Sequence, residues 1–296
     1  MSSLVTMPTD TRERGIAGSA RHNGSDLVTT RASAVVTAAQ LNVVSTPSGA
    51  LVSLPGQGGV VVAPGFGERA GGWLSDHLEP GASLLHPDPD AARALQVLSC
   101  VGNTVTVVSG LASGATGTVY GKHGAVLAFL ERADLLRLRP GDDVVVDTVG
   151  CGLNLLEAPD IAVHSCSPSL MDSLIWMQKG DRRLHLNVSA VLPARTAAAG
   201  IGMPSNAYNI DLQIAGAFDK AEDRLRLGDM VGLDDHDHRF GRQHREGWVA
   251  IGVLAHGSSA GGGHGYGMTT LLSGPRELFV LHEGPTSGPR LLAGLP

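Results

Sequence analysis

The sequence predicts a mainly β protein made of two β-barrel or β-sandwich-like parts with a few short helices. Three observations carry this expectation. Short β-branched runs recur at 34–37, 43–45, 60–63, 104–108, 117–120 and 144–149, separated by Gly and Pro, the texture of small barrels and sandwiches. The 40 glycines exceed ordinary usage and argue for many turns rather than long helices. The segment Leu136-Arg137-Leu138-Arg139-Pro140-Gly141-Asp142-Asp143 is echoed by Asp223-Arg224-Leu225-Arg226-Leu227-Gly228-Asp229-Met230. In both, Gly supplies a left-handed turn and Asp bonds back to the backbone before a strand. A turn that recurs in any barrel explains the echo more simply than duplication does.

Along the chain, residues 1–30 are polar and patternless and read as a flexible arm. Helical spacing is confined to 90–97, to 125–136 with apolar residues at 127, 130, 135 and 136, and to 167–178. The last opens on a Ser167-Pro168 cap signal and aligns Leu170, Leu174 and Met177. A Gly- and Pro-poor texture near 155–185 reads as a connector, so the expected domains are 31–155 and 156–296.

Composition excludes several function classes. A net charge of −6 with no basic face argues against nucleic acid as a partner. Cys100, Cys151 and Cys166 are odd in number and form no Cys-x-x-Cys pair, which argues against a disulfide framework or thiolate zinc site. With neither an apolar signal core nor an 18-residue apolar run, the expectation is a soluble cytoplasmic protein without a membrane partner. Charged residues are only 17%, low for a surface that stays soluble alone, which points to a homo-oligomer. No nicotinamide, flavin or nucleotide fingerprint is present.

Candidate chemistry clusters in a few polar stretches. In Asp76-His77-Leu78-Glu79-Pro80-Gly81, an extended backbone turns His77 and Glu79 to one side, as an acid/base or ligand pair. Cys100 is a candidate nucleophile with His123 as its base. Between glycines, Lys122 and His123 are placed to orient an anionic or carbonyl substrate. The loop 200–211 offers Asn206, Tyr208 and Asp211 as pocket residues. Five of the twelve histidines, His236, His238, His244, His256 and His264, fall in one late stretch. There Asp235, Asp237, His256 and His264 form the candidate set for a divalent cation, Zn²⁺, Mn²⁺ or Mg²⁺, although no specific metal signature is present.

Taken in order, Asp76-His-x-Glu79-Pro-Gly, Leu98-Ser-Cys100-x-Gly-Asn103, Gly121-Lys-His-Gly124, Gly200-x-Gly202, Asp235-His-Asp237 and Gly263-His-Gly265-x-Gly267 resemble a two-part bacterial domain-of-unknown-function family known through structural genomics of thermophiles. The resemblance runs from about Trp73 to about Thr270 and implies a mainly β, two-part fold with no assigned reaction. Tyr266 departs from the family's Gly-His-Gly-Pro-Gly pattern, a place where a substrate pocket would be specific to this chain.

Together these readings favour a small-molecule enzyme with a cleft between two β-rich halves, doing hydrolase or lyase/cyclase chemistry, metal-assisted or cofactor-free. The alternative is a non-catalytic β-barrel binding protein for a small ligand or nucleic acid, which the glycine spacing of 109–117 supports and the acidic charge opposes.

Overall fold

A computed structural model describes residues 16–40, 43–46, 48–213, 225–259 and 263–284. The chain is mainly β, and its first part closes on itself. The antiparallel strands Thr30–Val36, Asp143–Thr148, Thr104–Val107, Thr116–Lys122, Val126–Leu130 and Gly81–Leu85 follow one another round a barrel. It shuts where Val35 and Val36 pair with Leu85 and Leu84. Closure removes the unpaired edges that an open sheet would expose. Alternation does the sorting: Val144 and Val146 point inward to Val105, Val107, Val119, Val126 and Leu84, while Asp143, Val145 and Asp147 turn outward.

The second part is a sheet of three long antiparallel strands, Met230–Asp237, Gln243–His256 and Tyr266–Pro275. Ala190–Leu192 pairs parallel to the first, while Ala162–Val163 and Ile210–Leu212 share the free edge of the third. Residues 248–255 are apolar throughout because both faces are covered. Val249, Ile251 and Val253 pack with Leu184, Leu186 and Leu271 on one side; Ala250 and Leu254 pack with Leu192, Ile210 and Leu233 on the other.

The turn echo is structural. Gly141 and Gly228 have φ of +92° and +93°. Asp142 Oδ2 accepts from Arg139 N at 2.8 Å, and Asp229 Oδ2 accepts from Arg226 N at 2.9 Å. Positions 223 and 224 of the second copy lie outside the described residues, as do 1–15 of the expected arm. From Ile16 onward that arm is docked: Ile16–Gly18 pairs with Met177–Gln178, and Arg21 Nε meets Glu157 Oε1 at 2.7 Å.

Two of the three expected helices form. Pro89–Leu98 is capped by Asp88, whose carboxylate accepts from Ala91 N at 2.8 Å, and Pro168–Leu174 by Ser167. The helix expected over 125–136 is instead the barrel strand Val126–Leu130 followed by one turn, Arg132–Leu135. A short apolar run cannot be assigned by periodicity alone, and pairing with a strand on each side decided it. No helix among the described residues is long and apolar enough to cross a membrane.

Gly117 lies where two barrel strands approach closely: a Cβ there would sit 2.3 Å from the Phe129 carbonyl oxygen. Gly117→Ala is expected to destabilise the protein by about 1–3 kcal/mol, measured by urea unfolding, because backbone would have to yield.

Candidate functional site

Two segments of the barrel part carry polar side chains to the seam between the two parts, and a tyrosine braces the first of them. Residues 76–79 are clamped on both sides: Asp76 N and Glu79 N donate to the carbonyls of Pro55 and Gly56 at 2.8 and 3.0 Å, and Gly257 N of the second part donates to the Leu78 carbonyl at 2.9 Å. The segment is not extended as expected, since His77 has φ +41°. His77 and Glu79 nevertheless line the same cavity. The Tyr120 hydroxyl donates to the Pro80 carbonyl at 2.7 Å and fixes the chain just beyond. The second contribution is His123, at the tip of the hairpin joining Thr116–Lys122 to Val126–Leu130.

Glu79 is buried and accepts three hydrogen bonds: Gly58 N and Ser83 Oγ on Oε2 at 2.8 and 2.7 Å, and His123 Nδ1 on Oε1. This sets the tautomer of neutral His123, in which Nε2 bears the lone pair. The stacked ring of His77 lies 4.8 Å from that of His123.

The second part answers with Asn209, Asp211, His256 and His264. Asp211 and His256 sit on strands that flank a third, and both register opposite Gly267 of that strand between them. Gly267 is what lets them meet: a Cβ there would fall 2.0 Å from His256 Nε2. His256 Nδ1 donates to the Gly257 carbonyl at 2.8 Å, so Nε2 is the acceptor for Asn209 Nδ2, also at 2.8 Å. Asn209 Nδ2 also donates to Asp211 Oδ1 at 2.9 Å. Asp211 Oδ2 faces His264 Nδ1 at 3.8 Å.

The result is a cavity of about 480 Å³, within the usual size of a small-molecule site. His77 sits at the centre of the imidazoles, its ring 4.3 Å from that of His264 and 5.1 Å from that of His256. One ligand atom from each of His77, Asp211 and His264 lies within 4.8 Å of the others. That is wider than the roughly 3.4 Å between ligand atoms in a tetrahedral zinc site, so His77, Asp211 and His264 would have to move inward to hold such an ion.

The electrostatics follow from this crowding. Burial, then the neighbouring His256 and His123, push the His77 imidazole down to about 4, against the pull of Asp76 2.8 Å away. Burial acts the same way on His123, but the hydrogen bond and charge of Glu79 outweigh it, and His123 is raised. Burial opposes ionisation of Asp211, yet the surrounding imidazoles, His256 first, hold it below the usual carboxylate range.

Several expected site residues lie elsewhere. Asp237 is buried against Arg239 and Arg245 at 2.9 and 3.0 Å, and Asp235 Oδ1 accepts from Gly247 N at 2.9 Å. Neither joins His256 and His264; Asp211 takes that place, since arginines and a backbone amide already hold the two carboxylates. Cys100 and His123 do not pair: Cys100 lines a second cavity, and burial raises its thiol to about 11. Lys122 and His123 part company, since Lys122 is buried with Nζ on Ser165 Oγ at 2.8 Å and on the Asn206 carbonyl. Asn206 therefore lines the second cavity and Tyr208 the first. Tyr266 is buried away from both, and a methyl on Gly71 would lie 1.9 Å from its hydroxyl. Asn209, the bridge between His256 and Asp211, was not singled out in the sequence; its only signal was a place in the 200–211 loop.

A family model described as domain of unknown function DUF4438, N-terminal, matches residues 44–172, and its C-terminal counterpart matches 174–287. The chain is also similar to the structure titled "Crystal structure of TM1086", with a TM-score of 0.87, 32% sequence identity, and coverage of 94% of this chain and all of that one. No curated protein matches the chain.

Gly267→Ala is expected to expel the His256 ring and uncouple it from Asn209 and Asp211. The check is the His256 imidazole resonances in a histidine-labelled NMR spectrum, which would shift while the protein stays folded.

Proposed function

The chain belongs to the two-part DUF4438 family, and from its histidine cavity we propose a cation-assisted hydrolase acting on a small lactone or amide. The observation that supports this most is the convergence of His77, Asp211 and His264 in one largely buried cavity, with a carboxylate-oriented imidazole, His123, stacked on the first of them. Two imidazoles and one carboxylate suit Zn²⁺ or Mn²⁺ better than Mg²⁺, which prefers oxygen ligands and keeps its waters. Three protein ligands also leave a position open for water and substrate.

When bound, the ion supplies Lewis acidity and lowers the pKa of a water molecule. The chain supplies the rest. His123 Nε2 accepts a proton while Glu79, on Nδ1, stabilises the imidazolium that results. His256 and Asn209 hold Asp211 in place from the far side. The same base could take a proton from substrate carbon, so lyase or cyclase chemistry is the runner-up within the reading. Three free cysteines and a composition only 17% charged support a cytoplasmic homo-oligomer as the working form.

Protein purified without a histidine tag is expected to hold one divalent ion per chain by elemental analysis. Zn²⁺ or Mn²⁺ at a hundredfold excess over Kd should stabilise the stripped protein by about 2.7 kcal/mol, a rise of roughly 4 °C in Tm for a chain of this length. His77→Ala and Asp211→Asn should each abolish both effects. Failure of every divalent ion to bind or stabilise would overturn the reading; binding without turnover of any lactone or cyclic amide would leave a binding protein instead.

Glu79→Ala would strand the Gly58 N–H, the Ser83 hydroxyl and His123 in a buried site. An expected loss of about 3–5 kcal/mol in unfolding free energy checks how far the fold relies on that carboxylate.

A further inference from the structure

Lys122 has no part in the histidine cavity, yet it is fully buried and no carboxylate among the described residues pairs with it. A lysine in that setting is costly unless its environment uses it. Its Nζ donates to Ser165 Oγ at 2.8 Å and to the Asn206 carbonyl, and Ser165 Oγ in turn reaches the same carbonyl at 3.4 Å, so amine, hydroxyl and carbonyl form one triangle. Ser165 in turn lines a second cavity of about 370 Å³, together with Cys100, Cys151, His164, Asn206 and Phe240.

The backbone holds Ser165 in a sharp, pinned turn. Cys166 N donates back to the His164 carbonyl, a three-residue turn centred on Ser165. On either side His164 N donates to the Leu271 carbonyl at 2.8 Å, and Val101 N to the Ser165 carbonyl at 2.8 Å. Ser165 is thus presented by a rigid turn at the end of strand Ala162–Val163, with an amine on its hydroxyl and a cavity in front of it.

We infer that Ser165 and Lys122 form a serine–lysine acyl-transfer dyad, a second reactive centre that takes small esters or thioesters into this cavity. Amine-activated serines of this kind recur on unrelated folds, recognised by geometry rather than sequence position. In the reaction, Oγ bonds to the acyl carbon as the Ser165 proton passes to neutral Lys122 Nζ. Collapse of the tetrahedral adduct breaks the bond to the alcohol or thiol, which leaves with the proton from Lys122. Water then attacks the Ser165 ester, gives one proton to Nζ and releases the carboxylic acid, while Oγ recovers its proton from Lys122. Burial, aided by Arg242 and opposed by Cys100 and Cys151, lowers the Lys122 amine to about 8, so that a neutral fraction exists near neutral pH. The competing nucleophile in the same cavity, Cys100, is a thiol raised to about 11.

The test is labelling of the full chain with an alkyl fluorophosphonate, read by intact mass and peptide mapping. The expected result is a single adduct on Ser165, absent in Ser165→Ala and formed at least about 100-fold more slowly in Lys122→Met, the loss typical of a missing general base. Absence of a Ser165 adduct on the wild-type chain overturns the proposal, as does an unchanged rate in folded Lys122→Met. Should Lys122→Met fail to fold, the wild-type pH profile decides. The groups facing the amine are Cys100, Cys151, His164 and Arg242. A rate that rises to a plateau around pH 8 supports the dyad, and a flat rate overturns it. Ser165→Ala should still bind a divalent ion at the histidine cavity, which separates this proposal from the one above.

Discussion

The buried carboxylate of Glu79 is the interaction on which the seam depends. It satisfies a backbone N–H at Gly58, the Ser83 hydroxyl in the middle of a barrel strand, and the imidazole of His123 on a hairpin. A charge removed from water is tolerable only when its lone pairs are filled, and here every partner belongs to the barrel part. One side chain therefore ties loop, strand and hairpin together and fixes which nitrogen His123 offers to the cavity. The opposite wall is held by a similar economy of polar atoms: Gly257 carbonyl to His256, His256 to Asn209, Asn209 to Asp211.

Strand geometry then divides the chemistry. Lys122 and His123 are adjacent in sequence, but at the end of a strand consecutive side chains go to opposite sides. His123 turns to the histidine cavity and Lys122 to Ser165. The loop between residues 199 and 209 separates the two spaces, with Gly200, Met203 and Tyr208 on one cavity and Ser205 and Asn206 on the other. Buried Arg242 holds that loop from within through the carbonyls of Gly200, Tyr208 and Asn209.

Much of the fold was legible because its signals are local. β-branched runs, the two Gly-Asp turns and the Ser167 cap each depend on a handful of neighbouring residues, and each appears where the sequence put it. Residues 126–130 were not legible, since Val-Leu-Ala-Phe-Leu satisfies a buried strand and a helix equally well until partners are known. The candidate site was half legible. His77, Glu79, His123, Asp211, His256 and His264 were recognisable as costly residues in glycine-rich settings. That Asp235 and Asp237 would be taken by arginines and a backbone amide was not, because their competitors Arg239, Arg245 and Gly247 look equally available to solvent in a linear chain.

By itself the sequence determined the β class, the turns, and the chemical types that had to find partners. Only the tertiary structure decided which of them meet. Gly267 shows why: as a letter it is one glycine among 40, but in the sheet it is the single missing side chain over which His256 crosses toward Asn209 and Asp211. Hydrogen bonds and close contacts form between strands far apart in sequence, and their register is set by packing of the whole sheet rather than by the residues that end up touching.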